Sequence, residues 1–296
     1  MAEDTKDQFD EQFLKRLEYL YIVSQKMASR QQQAQRETEI VGSGIEFAEH
    51  RQYTPGDAFR NIDWNLYART EELFLKLFEE EKDLYIYFLL DSSKSMQLGH
   101  PNKWDYAKRV VAALGYIGLS NLDRVSIIPF SSRLDDRLPP TRGRGQIFKI
   151  FDFLRNVEPG ERTQLGDAFK TFVTQHKRRG MAVVISDFYD PEGFEEALNF
   201  LRYHKFDPVV IQLFDERELD PELKGEIEVV DCETGDVRQV TVTPELLEAY
   251  REAFESYSGE IQEYCSRNQI LYFRAPSQLP FDELILRVFR AGGFLD

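Results

Sequence analysis

Cysteine is nearly missing from this chain: two residues, Cys232 and Cys265, among 296. They lie far apart without CxxC spacing, which argues against a disulfide framework and a thiolate zinc site. Long apolar runs are missing too, and none approaches the ~20 residues that a membrane helix needs. The opening Met1-Ala-Glu-Asp-Thr-Lys-Asp7 is acidic and carries no apolar core of a signal peptide, so the expected setting is a reducing cytoplasm. Positive charge is a third shortage, with 37 Lys and Arg against 52 Asp and Glu and a net charge of −15. That balance disfavours nucleic acid and anionic lipid, and it suits cations and basic partner surfaces. His50, His100, His176 and His204 are scattered without a partnered nucleophile, so a hydrolase triad has no support. Thr141-Arg-Gly-Arg-Gly-Gln146 has neither Gly-Lys-Ser/Thr nor GxGxxG and gives no nucleotide signature. No internal repeat or low-complexity segment stands out.

What is present describes an ordinary globular chain, 42% hydrophobic and 30% charged, long enough for one large domain or two small ones. Apolar runs near 83–90, 123–130, 180–187 and 207–214 are strand-length and show no alternation, and the first carries no charge from Leu84 to Leu90. Helical spacing fills the intervals, over 103–119, 147–154, the stretch up to His176, and 194–204. Strand alternating with helix predicts an α/β fold: a doubly wound, mostly parallel sheet with helices on both faces. An amphipathic helix is expected over 9–36, through Phe13, Leu17, Leu20, Tyr21, Val23 and Met27. It is followed by an irregular segment that Pro55 and Gly56 interrupt, where Arg51, Asp57, Arg60, Asp63 and Arg69 sit among aromatics as structural mortar. A short strand is expected at 73–80, a hairpin arm at 133–138, and a small hairpin over 226–242 around Glu233-Thr-Gly-Asp236. Beyond it come a long helix from Pro244 to about Asn268, a strand at 269–273 and a helix at 281–289. The expected division is 1–80 for the N-terminal helix and irregular segment, and 81–296 for the α/β domain.

The first central run ends abruptly in Asp91, Ser93 and Ser95, three oxygen-bearing side chains at alternate positions. In open α/β sheets, ligands occupy the crevice beyond the carboxyl ends of the strands. A carboxylate with two hydroxyls is a hard, oxygen-only set that suits Mg2+ over zinc. The plainer reading is a strand-to-loop turn in which Asp and Ser bond their own backbone.

Two further segments fall in order: Gly160-Glu-Arg-Thr-Gln-Leu-Gly-Asp167, with Thr163, and Val183-Val-Ile-Ser-Asp187. With Asp91-x-Ser93-x-Ser95 they resemble the metal-ion-dependent adhesion site of the von Willebrand factor type A fold. The resemblance implies a metal site of Asp91, Ser93, Ser95, Thr163 and Asp187 for Mg2+ or another divalent cation. In it Ser93 and Ser95 would ligate through hydroxyls and Thr163 directly or through water, while Asp91 and Asp187 would hold metal-bound waters or change between direct and water-mediated contact. One exchangeable position would remain for a partner protein's carboxylate. Lys94 and Asp190, beside the site, are expected to be solvated surface charges. Phe188 stands where adhesive type A domains often carry glycine, which puts ligand access in question.

Upstream, Gly44-Ile-Glu-Phe-Ala-Glu-His-Arg-Gln-Tyr-Thr-Pro-Gly-Asp57, Arg60-Asn-Ile-Asp-Trp64 and Ala68-Arg-Thr70 resemble the hallmark of the uncharacterised bacterial domain family fifty-eight. Its members carry a type A domain directly after this segment. That likeness implies a non-enzymatic adaptor or assembly factor working with a MoxR-type AAA+ ATPase. Two alternatives stand beside it. A haloacid-dehalogenase-like phosphohydrolase would use Asp91 as nucleophile, but it wants a second Asp where Ser93 stands. A metal-free structural subunit would show a hydrogen-bonded site with no cation.

Overall fold

Strands that are apolar at every position demand helices on both sides, and the central strands of this chain obtain them. The computed structural model describes residues 8–35, 46–54, 62–79, 84–131, 137–160 and 162–292. In chain order the elements are α1 (Glu11–Gln35), β1 (Glu46–Gln52), α2 (Trp64–Thr70), β2 (Phe74–Glu79), β3 (Tyr85–Asp91), α3 (Lys103–Ser120), β4 (Arg124–Phe130) and β5 (Leu138–Arg142). There follow α4 (Ile147–Asn156), α5 (Leu165–Gln175), β6 (Met181–Ser186), α6 (Glu195–Tyr203), β7 (Asp207–Phe214) and α7 (Glu216–Leu219). The chain closes with β8 (Gly225–Val230), β9 (Val237–Val242), α8 (Pro244–Arg267), β10 (Leu271–Pro276) and α9 (Phe281–Arg290).

The chain divides into two units, Met1–Ala28 with Leu84–Asp296, and Ser29–Asp83. In the larger unit six strands form one sheet in the order β10-β7-β6-β3-β4-β5, parallel except for β5, which runs antiparallel to β4. The direction of winding reverses between β3 and β6, which pair side by side, as in a doubly wound α/β fold. A crevice must open at their carboxyl ends, because the connections leave toward opposite faces.

Alternate residues of β3 enter two separate cores. Ile86, Phe88 and Leu90 join Val110 and Leu114 of α3 and Ile285 and Phe289 of α9, while Tyr87 and Leu89 join Phe169 and Phe172 of α5, Leu198 of α6 and Ile261 of α8. Phe13, Leu17 and Leu20 of α1, three to four residues apart, lay one stripe of the helix into the first core, and Phe9 just before it joins them. That stripe is why the first 28 residues group with the α/β unit, so the division differs from the boundary expected near residue 80. Gly180 opens β6 where a Cβ would lie 2.1 Å from the Tyr85 carbonyl oxygen, so only glycine permits this close start.

β5 replaces the expected hairpin arm. It carries Pro139 and Pro140, which argue for a loop in sequence but are tolerated on an edge strand. Positions 133–136 of the expected arm lie outside the described residues. In the smaller unit β1 and β2 pair antiparallel, with a register shift between Phe47 and Glu49. Asp63 caps α2, its Oδ1 accepting from the Asn65 and Leu66 amides at 2.9 and 3.1 Å. Trp64 and Tyr67, both exposed, meet edge to face with ring centroids 6.1 Å apart. Neither β1 nor α2 is expected from the sequence, because Pro55, Gly56 and mixed polarity hide both periods. The expected Pro55-Gly56 turn and the Arg51, Asp57 and Arg60 side chains lie outside the described residues. Cys232 and Cys265 are free thiols. Among the described residues, no helix is long and apolar enough to cross a membrane.

Candidate functional site

β3 delivers Asp91 to the crevice fully buried. Its Oδ1 accepts from the Ser93 amide at 2.9 Å and its Oδ2 from the Ser186 hydroxyl at 2.5 Å. Ser93 and Ser95 place their hydroxyl oxygens 3.0 Å apart, and Lys94 between them is exposed, as expected. Ser92 ties this loop to the end of β4 by donating both its amide and its hydroxyl to the Phe130 carbonyl, at 2.8 and 2.9 Å.

The loop that carries Thr163 is pressed against the same corner. Gly160 donates its amide to the Ser92 carbonyl at 2.6 Å, and a Cβ there would lie 2.4 Å from the Ser131 side chain. Thr163 is buried, and it donates its amide and hydroxyl to the two carboxylate oxygens of Glu233, at 3.3 and 3.2 Å. Asp190 is a correction to the sequence expectation: it is buried, not a solvated charge. Its Oδ2 accepts from the Leu165 amide at 2.6 Å and its Oδ1 from the Glu192 amide at 2.9 Å, which joins the Thr163 loop to the turn after β6.

That turn begins with Asp187, also fully buried. Lys103, first residue of α3, donates Nζ to Asp187 Oδ2 at 2.8 Å and to Glu218 Oε1 at 2.5 Å, and its ammonium stands 5.2 Å from the Tyr189 ring centre. Burial acts to strip the Lys103 proton, but Asp187 and Glu218 outweigh it and raise the pKa. Asp91 has its pKa raised, first by burial and next by the Asp187 charge, against the opposing hydrogen bonds from Ser186 and Ser93. Glu233 is raised as well, by burial foremost, with Asp187 adding to it against the two Thr163 bonds. Phe188 takes a left-handed backbone conformation, φ 64°, the region where glycine costs least. Its ring packs into the second core beside Phe194, away from the crevice.

Asp91, Ser93 and Ser95 thus form one hydrogen-bonded group. Asp187 faces Asp91 electrostatically, and Thr163 connects to this pair through Glu233. The Lys103 ammonium stands between the carboxylates of Asp187 and Glu218. The donor set is all oxygen and rich in negative charge, which fits a hard divalent cation. Among the described residues no three His, Cys, Asp or Glu side chains are grouped to hold a metal. A cation here would therefore depend on the hydroxyls of Ser93, Ser95 and Thr163.

Sequence reasoning missed Lys103, Glu218, Glu233 and Ser186. Lys103 had a signal, since a cation in the first turn of a helix opposes the helix dipole and needs a local acid to hold it. Glu233 had none, because nothing in a hairpin turn says where its tip lands.

Fold and site define a doubly wound α/β protein with an acidic, hydroxyl-lined crevice at its switch point. A family model described as "Protein of unknown function DUF58" matches residues 49–262, and the chain belongs to that family. An uncharacterized protein of Mycobacterium tuberculosis is 26% identical over 227 residues, 75% of this chain and 71% of that relative. Among solved structures, the conserved hypothetical protein BatB from Bacteroides thetaiotaomicron is 18% identical with a TM-score of 0.44, over 70% of this chain and 96% of that one. Proximal thread matrix protein 1 from the mussel byssus, solved with a zinc occupied MIDAS motif, is 14% identical with a TM-score of 0.40, over 70% of this chain and 44% of that one.

Proposed function

We propose that this protein is a non-enzymatic interaction module that engages a partner's carboxylate through Mg2+ or another divalent cation, held by Asp91, Ser93, Ser95, Thr163 and Asp187. The observation that carries the reading is the pair of hydroxyls 3.0 Å apart beside a buried Asp91, whose negative charge burial and Asp187 disfavour. Two such carboxylates in one crevice call for a cation to balance them. When bound, the cation would supply an exchangeable position for an acidic side chain. The chain's own groups orient the site: the Ser93 amide and Ser186 hydroxyl fix Asp91, and Lys103 fixes Asp187.

Family resemblance supports an adaptor or assembly role beside a MoxR-type AAA+ ATPase in the cytoplasm. Against a phosphohydrolase, Ser93 stands where a general acid is needed, and both Asp91 oxygens are already hydrogen-bonded. A metal-free subunit is the rival, favoured by the Lys103 ammonium on Asp187.

Calorimetric titration with Mg2+ tests the reading. The native chain should bind, and a chain carrying both Ser93→Ala and Ser95→Ala should fold but not bind. Partner capture from the source cell should fail in chelator. Heat-free titrations with an unchanged unfolding midpoint would leave the metal-free subunit standing, and turnover of a phosphate ester lost in Asp91→Asn would leave the phosphohydrolase.

A further inference from the structure

The β8–β9 hairpin contributes no hydrophobic residue to either core, and every residue of its tip except Glu233 is exposed. The tip is nevertheless well shaped. Asp231 Oδ1 accepts from the Glu233 and Thr234 amides at 2.8 and 3.0 Å, and the Asp231 amide and carbonyl pair with Asp236 and Gly235 at 2.9 Å each. This turn points Glu233 into the crevice and onto Thr163, an expected metal ligand whose amide and hydroxyl both go to that carboxylate. Between the tip and the crevice floor of Ser95, Lys103, Tyr189 and Glu218 lies a cavity of about 630 Å³.

We propose that Glu233 is an internal occupant of the carboxylate position: the hairpin tip supplies the acid that an incoming partner would otherwise supply, and the partner must displace it. This inference rests on the metal-dependent reading above and deepens it. Three features support it. A carboxylate already lies on Thr163 and lines the same cavity as Ser95 and Lys103, so geometry admits one there. It is held by two long hydrogen bonds, 3.3 and 3.2 Å, on an element that brings no apolar anchor, so its release is cheap. The cavity behind it leaves room for side chains of a replacing segment. The partner's recognised chemistry is then an exposed Asp or Glu on a protruding loop, because it must reproduce what the hairpin presents.

The experiment uses the full chain, Mg2+ and sodium acetate. Hydrogen exchange over residues 225–242 is measured with and without Mg2+, and Mg2+ affinity is measured for the native chain, Glu233→Gln, Glu233→Ala and Glu228→Gln, an exposed acid of the same hairpin. The expected result is that Mg2+ slows hairpin exchange in the native chain. Glu233→Ala and Glu233→Gln should each weaken Mg2+ binding by roughly 10-fold, as loss of one charged oxygen ligand does. Acetate should restore affinity to Glu233→Ala and do nothing for the native chain. Glu228→Gln should match the native chain. Mg2+ binding that is equal in all four, or an exchange pattern indifferent to Mg2+, overturns the inference and leaves the metal reading intact. Equal losses in Glu228→Gln and Glu233→Gln overturn it too, as bulk charge. Absence of Mg2+ binding in the native chain overturns both.

Discussion

β3 and the β8–β9 hairpin send acids into one crevice from opposite extremes of burial. From Ile86 onward every residue of β3 is buried, and Asp91 is fixed by neighbours that cannot shift without opening a close-packed core. The hairpin strands are mostly exposed, and the Glu233 carboxylate is held chiefly by Thr163. The contrast separates two jobs that one crevice can combine. In the function proposed above, a rigid strand would fix where a cation sits, and a loosely tethered tip would decide whether the place opposite is taken.

The largest expected difference tests that contrast directly. Phe88→Ala should lower unfolding free energy by about 3–5 kcal/mol in urea titrations, since a buried ring leaves a cavity. Val230→Ala on the hairpin should stay within about 0.5 kcal/mol. A hairpin valine that costs as much as Phe88 would make the hairpin part of the cooperative core and end the comparison.

Next in size is Lys103→Met. It leaves Asp187 buried without its ion partner and should cost about 3 kcal/mol in chelator. Millimolar Mg2+ should recover part of that loss by linkage, because the same carboxylate gains another positive neighbour. A midpoint of this variant that Mg2+ does not move would show that no divalent cation takes the place of the ammonium.

Asp91 and Asp231 respond to pH with opposite signs. The folded pKa of Asp91 is raised above its ordinary 3.8, so the folded chain binds a proton that the unfolded chain has released. Its contribution to stability is therefore fully present below the ordinary value and is lost as pH rises through the folded value. Metal-free native chain should gain stability on acidification from neutral toward the ordinary carboxylate range, and Asp91→Asn should be more stable at neutral pH and lack that gain. Asp231 in the hairpin tip is lowered by the Thr234 and Glu233 amides. Its contribution is present above the ordinary value and lost as pH falls through the folded one, so the Asp231 hold on the turn should weaken in acid while the Asp91 site tightens. Carboxyl carbon NMR titration reads both. The smallest effect expected is Lys94→Ala, an exposed charge between two site serines, which should leave stability and Mg2+ affinity unchanged in the same calorimetry.

Legibility in the sequence follows the same divide. The uncharged run before Asp91 permits only a strand covered on both sides, and that strand's end places Asp91, Ser93 and Ser95 where the sheet order puts the crevice. Asp187 is legible for the same reason, at the end of β6. Lys103 and Glu233 are not, because each acts through space on a residue 84 or 70 positions away, and local spacing carries no such information. Asp190 defeats a reading from sequence because burial of a loop carboxylate depends on the Leu165 amide across the crevice. β5 begins where the arm expected at 133–138 ends, because adjacent prolines depress the expectation of a strand at 138–142, whereas an edge needs hydrogen bonds on one side only.

Those prolines have a consequence for the molecule in company. β5 is one border of the sheet, pairing with β4 through Leu138, Thr141 and Arg142. At Pro139 and Pro140 its outer side has no amide hydrogen to offer, and Arg142 places an exposed charge at its end. A second molecule therefore finds no continuous ladder on which to add a strand there, and crowding is kept from turning one sheet into many.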